Sequence, residues 1–182
     1  MTSQVLPPPP AAGLRRAEKV TAASADGLRR VLRQHASGVA VITAGTAAPA
    51  GFCAASLATI SLTPAVVSFS VSVRSASWGT ISTAELMLAH LLGAGQDDLA
   101  RRFGQPGAAK FDPPTRWYRD DLGLPRLCGV RAWLVLAPVA RLPVDDHVLV
   151  VGRVIRAAAG DTSGGPLIHH AGRYTSVARA GS

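Results

Sequence analysis

From Val67 to Val73 the chain alternates strictly: Val67, Phe69, Val71 and Val73 are separated by Ser68, Ser70 and Ser72. A period of two places the apolar set on one face of a strand and the hydroxyls on the other. Apolar and β-branched runs predict further strands at residues 39–43, from Gly51, at 85–92, 127–137 and 147–155, with a last short segment at 169–174. Helical spacing is confined to three short stretches. Residues 26–35 carry Leu28, Val31 and Leu32 on one stripe behind Asp26 as N-cap, and a short helix follows Trp78. Residues 96–103 have Asp97 and Asp98 in the first turn and Arg101 and Arg102 near the end, both favourable to the helix dipole.

The breaks between these elements are Ser37-Gly38, residues 45–49, the polar turn Ala54-Ala55-Ser56, Pro64, residues 142–146 and residues 160–166. Residues 104–126, rich in Gly, Pro and Asp, read as one long loop, and loops of that length in a compact domain are functional or mobile. About six strands and two or three short helices predict a mainly β fold, an antiparallel barrel or sandwich. Strands do not alternate with long helices, which argues against a doubly wound dinucleotide fold.

The 182 residues suit a single domain over 25–182, preceded by a Pro-, Ala- and Arg-rich tail at 1–24 expected to be disordered. The net charge of +8 raises nucleic acid as a partner, but six of the cations lie in residues 1–33 and the other arginines are scattered without interleaved aromatics, so nucleic-acid binding is not expected. No apolar run approaches the ~18 residues of a membrane span, and the N-terminus lacks a hydrophobic signal core, so the expected compartment is the cytoplasm. Cys53 and Cys128 are too few for a disulfide framework and are expected as thiols.

Most chemistry-bearing motifs are missing. There is no G-x-G-x-x-G opening a helix, no P-loop and no G-x-S-x-G elbow. His147 stands beside Asp145 and Asp146 without a marked nucleophile. With His169 and His170 it lacks metal-ligand spacing, and no metal site is expected. What remains is the loop Arg74-Ser75-Ala76-Ser77-Trp78 at the end of the alternating strand, whose small hydroxylated residues and cation suit the phosphate of an anionic ligand. Taken singly, Ser56, Ser75 and Ser77 also read as turn chemistry, Trp78 as core, and Lys110-Phe111 as a surface pair.

In order along the chain, the motifs resemble the flavin reductase-like family of FMN-binding split barrels over roughly residues 26–176. LRRVLRQHASGVAVIT at 28–43 is similar to the family's opening helix and strand, residues 51–64 to its G-x-T-x-S-S-F…S-L-x-P stretch, and 75–78 to S-x-[ST]-W. Residues 96–103 resemble Q-x-D-L-A-x-x-F, Lys110-Phe111 the K-F pair, Asp146-His147…Gly152 the D-H-x-x-x-x-G strand, and HAGRY at 170–174 the terminal H-x-G-x-Y.

The resemblance implies a six-stranded antiparallel Greek-key split β-barrel with a few flanking helices, and a homodimer with flavin near the interface. It implies an NAD(P)H:flavin oxidoreductase using FMN or FAD and supplying reduced flavin to a separate monooxygenase. Cys53, Ala54, Ala55 and Ser56 would contact the flavin ring and ribityl chain. Ser75 and Ser77, beside Trp78, would hold the phosphate, and Lys110 and Phe111 would border the cofactor or the NADH or NADPH. His147 would orient the nicotinamide, and His170 to Tyr174 would close the site. The chain departs from the family pattern where Cys53 replaces Thr, Ala55 replaces the first Ser of a pair, and His169 stands where Tyr is often found. A lost hydroxyl costs on the order of 1 kcal/mol of cofactor binding. Loosely held flavin, exchanged as a substrate, is therefore expected. The alternative reading is a non-catalytic flavin- or haem-binding protein on the same barrel.

Overall fold

The computed structural model describes residues 24–160 and 164–177, so the tail expected over 1–24 lies, apart from Ser24, outside the described residues. Helix α1 (Ala25–Leu32) is capped by Ser24, whose hydroxyl accepts the Gly27 N–H. The cap expected at Asp26 is thus two residues late. Asp26 sits in the first turn instead, paired with Arg29 at 3.0 Å. The stripe Leu28, Val31 and Leu32 is exposed.

Ser37-Gly38, read as a break, forms the two-residue β1 (Ser37–Gly38), followed by β2 (Ala40–Ala44), β3 (Ala50–Ala54), β4 (Ala58–Leu62) and β5 (Ala65–Ser72). Next come α2 (Trp78–Thr83), β6 (Met87–Leu91) and α3 (Asp97–Gly104). The segment expected to be one long loop contains a small hairpin, β7 (Trp117–Arg119) with β8 (Pro125–Leu127). The chain then forms β9 (Ala132–Val144), β10 (His147–Ala159), β11 (Leu167–His170) and β12 (Arg173–Ser176). The break expected at 142–146 shrinks to Asp145-Asp146, with Asp145 at φ 54. Pro138 and Pro143 are accommodated within β9, Pro138 beside a bulge where Val139 is the extra residue between the pairs Val151–Ala140 and Gly152–Pro138.

The main sheet is antiparallel, in the order β3-β2-β6-β9-β10-β5-β4, and a second sheet is β1-β11-β12. Its seven strands exceed the expected six by β4, a short edge strand between the polar turn and Pro64. The two lateral edges, β3 and β4, are consecutive in the chain with three residues between them, so the sheet must curl until they approach. Ser56 closes the seam. Its hydroxyl accepts the Ser70 N–H at 3.0 Å, serving β5 beyond the Ala58–Ser68 pair at which β4 begins. The result is a mainly β split barrel with few helices.

Inside the curl pack Ile42, Phe52, Phe69, Val71, Ile81, Met87, Leu136 and Val150. The opposite face of β2 packs Val39 and Val41 against Phe103 of α3, Leu92 and Leu127, so β2 is buried throughout. His90 on β6 is also fully buried. Its Nδ1 meets the Val41 carbonyl at 3.1 Å and its Nε2 accepts the Leu127 N–H at 3.1 Å, tying β2, β6 and β8 together. Burial pushes its pKa down to about 4, so the ring is neutral at pH 7. Among the described residues no helix is long and apolar enough to cross a membrane.

Candidate functional site

The serine face of β5 forms one wall of a cleft of about 700 Å³. Ser70 and Ser72 line it from β5, Arg74, Ser75 and Ala76 from the following loop, and Phe52 to Ser56 from β3 and the seam. Phe103, Gly104, Pro106, Gly107 and Lys110 close the far side, and His147 stands at the start of β10. Register explains the last contact, because His147 pairs with Ser72 and so sits on the same outer face as the serines.

The cleft therefore gathers seven residues proposed from sequence: Cys53, Ala54, Ala55, Ser56, Ser75, Lys110 and His147. Five others stand behind or beside it. Ser77 is buried and donates its hydroxyl to the Gly51 carbonyl at 2.6 Å. Trp78 opens α2 and packs on the core. Phe111 lies edge-on between Phe103 and Trp117. Tyr174 places its hydroxyl 4.0 Å from Cys53 Sγ, with Arg101 stacked 5.2 Å from its ring centroid. His170 is exposed in the β11–β12 hairpin opposite Arg173. The sequence reading pointed to the Arg74 cation but did not single out Ser70 and Ser72, which also line the cleft. The signal was present in the period-two alternation of β5, which sends these serines to one face.

Electrostatically the cleft is built for an anion. Among the described residues no carboxylate lines it, while Arg74 and Lys110 do. Burial lowers the Lys110 pKa, and its Nζ donates to the Gly51 carbonyl at 3.0 Å, sharing that acceptor with Ser77. Gly51 is required by close approach, since a Cβ there would meet Phe103 Cε1 at 2.8 Å. Burial also raises the Cys53 thiol, opposed by the Tyr174 hydrogen bond and Lys110, so Cys53 is a neutral wall residue at pH 7 rather than a nucleophile. A partly desolvated ammonium and an arginine without a salt-bridge partner among the described residues suit a negatively charged group. Cys53, Ala55 and Pro106 add apolar lining for a planar ring. The volume falls in the range of about 300–1,000 Å³ common to cofactor pockets. These residues fit a flavin nucleotide.

A second cleft of about 610 Å³ lies along α3, lined among others by Arg101, Arg102, Arg116 and Cys128, and contains none of the residues proposed from sequence. Both cysteines are free thiols. Among the described residues no group of three or more His, Cys, Asp or Glu is placed to hold a metal ion.

A protein-family model described as "Flavin reductase like domain" matches residues 32–178. An NADH:FMN oxidoreductase of Rhodococcus qingshengii is 37% identical over 162 residues, spanning 86% of this chain and 84% of the relative. The reductase subunit of a flavin-dependent monooxygenase of Rhodococcus jostii is 31% identical over 150 residues, covering 82% and 76%. Among solved structures, a Streptomyces globisporus NADH:FAD oxidoreductase in complex with NAD and FAD fragments superposes with a TM-score of 0.82 at 26% identity, over 91% of this chain and all of that one.

Proposed function

The chain belongs to the flavin reductase-like family, and from that membership we propose that it passes a hydride from NADH or NADPH to FMN or FAD and supplies the reduced flavin to a separate monooxygenase. The observation that carries this reading is the carboxylate-free cleft, which joins a hydroxyl-lined loop, two cations, apolar ring surface and His147. The flavin, when bound, supplies the hydride acceptor, so the protein needs no strong acid or nucleophile.

Arg74 and Ser75 hold the phosphate with a guanidinium and a hydroxyl. The backbone of Cys53 to Ser56 faces the ring and ribityl chain, and Lys110 offers positive charge to the electron-rich part of the bound ring. His147 orients the nicotinamide over it. Ser56, Ser77, Trp78, Phe111 and Tyr174 act indirectly: Ser56 holds the seam, Ser77 fixes the Gly51 carbonyl, and the three rings support the walls from behind. His170 belongs to the hairpin that borders this region. The reading predicts nicotinamide oxidation that saturates with added FMN or FAD. Measured flavin binding without turnover, for every nicotinamide–flavin pair in folded protein, would replace it with a non-catalytic flavin carrier.

The family's dimeric arrangement also suits this chain. Val139, Leu142 and Val144 leave apolar surface exposed on β9 beside the cleft, and the α1 stripe adds more. A second copy covering these surfaces gives twice the monomer mass in sedimentation equilibrium at micromolar concentration. A strictly monomeric species there excludes it.

A further inference from the structure

His147 does not stand alone at the rim of the cleft. Its Nδ1 lies 2.7 Å from Asp146 Oδ1, although neighbours on a strand ordinarily point to opposite faces. The exception has a local cause: His147 opens β10, whereas Asp146 belongs to the turn, where Asp145 at φ 54 reverses the chain. The Asp146 carbonyl is fixed separately, accepting the Val73 N–H at 3.0 Å and the Ser72 hydroxyl at 3.3 Å. The backbone is thereby pinned to the end of β5, and the carboxylate is left with the imidazole as its partner.

A carboxylate can only accept. The ring nitrogen facing it must carry the proton, and in the neutral ring the opposite nitrogen becomes an acceptor. We propose that Asp146 is a positioning residue that holds His147 in the Nδ1–H tautomer and leaves Nε2 as the acceptor offered to the cleft, where it takes a carboxamide N–H of the nicotinamide. This rests on the reading of His147 given above. The hydrogen bond from His147 is the main reason the Asp146 carboxyl lies below the usual carboxylate range, with Arg74 adding to the effect. The charged groups around the pair are Asp145 in the same turn, Arg74 at the end of β5 and Lys110 across the cleft.

The test uses the full chain as wild type, Asp146→Ala, His147→Ala and the double variant. Without any substrate, long-range proton–nitrogen spectra of the ring are expected to show Nδ1–H alone in the wild type and a shift toward Nε2–H in Asp146→Ala. A wild-type ring divided between tautomers, or one unchanged by Asp146→Ala, overturns the proposal whatever the assay gives. In the assay, Asp146→Ala is expected to raise KM for NADH about five- to tenfold, with kcat and the KM for flavin within about twofold. The double variant should be no worse than His147→Ala. Additive losses would mean that Asp146 acts elsewhere and sink the idea. An unchanged KM in His147→Ala overturns the nicotinamide contact itself, and the spectra then report separately whether Asp146 still sets the tautomer.

Discussion

Replacing His90 by leucine is expected to cost roughly 1–3 kcal/mol of unfolding free energy, although the two side chains are similar in size. Leucine fills the space but leaves the Leu127 N–H without the ring nitrogen that accepts it, deep among β2, β6 and β8. The substitution also changes the response to acid. Burial holds the folded-state pKa at about 4 against an ordinary 6.5, so between these values the unfolded chain takes up a proton that the folded chain refuses. The contribution is fully present above about pH 6.5 and declines as pH falls toward 4, by on the order of 3 kcal/mol in all. Asp121 and Asp146, both held below the usual carboxylate range by hydrogen bonds from Arg156 and His147, act mostly below that window. Denaturant unfolding at pH 7 and pH 5 should therefore show a wild-type loss that is much reduced in His90→Leu. An identical pH slope in the two proteins would remove His90 as its source.

Arg74→Ala is expected to weaken FMN binding about 10- to 100-fold while leaving riboflavin nearly unaffected. A charge-assisted contact to a phosphate contributes roughly 1.5–3 kcal/mol, and riboflavin has no phosphate to receive it. Among the described residues the guanidinium forms no salt bridge, so its removal leaves no buried carboxylate there unpaired. Its backbone N–H continues to donate to Ser72 Oγ at 3.2 Å, keeping the loop anchored. Fluorescence titrations with the two flavins provide the measurement. Equal losses for both would place Arg74 away from the phosphate and shift that role to the Ser75–Ala76 segment alone.

Local pattern revealed the parts of this fold that are local in origin. β5 is legible because its alternation is uninterrupted, and α3 because charge and spacing agree. β4 escaped because its five residues are mostly exposed and lie at the sheet edge, so no burial pattern marks them. β7 and β8 are three residues each and are secured from a distance, Trp117 against Phe111 and Leu127 through His90.

The site divides along the same line. The order of motifs located the cleft, whereas the duties of single hydroxyls depended on partners far along the chain. Ser77 meets Gly51 26 positions away, Ser56 meets Ser70 14 away, and His90 reaches Val41 and Leu127 at 49 and 37. A serine in a turn has the same local sequence signature whether its oxygen faces a ligand or a buried carbonyl. Asp146 was obscured for a related reason, since only the turn conformation brings it back onto its neighbour.

The two faces of β5 answer to different demands. Val67, Phe69 and Val71 are buried among the barrel's apolar residues, whereas Ser70 and Ser72 border the cleft one residue out of phase. A substitution at an odd-numbered position here is tested by whether the protein folds, and one at an even-numbered position by what it holds. Descendants of such a strand can exchange one ligand for another through single steps that leave the barrel untouched. The same scaffold thereby becomes a starting point for new specificities.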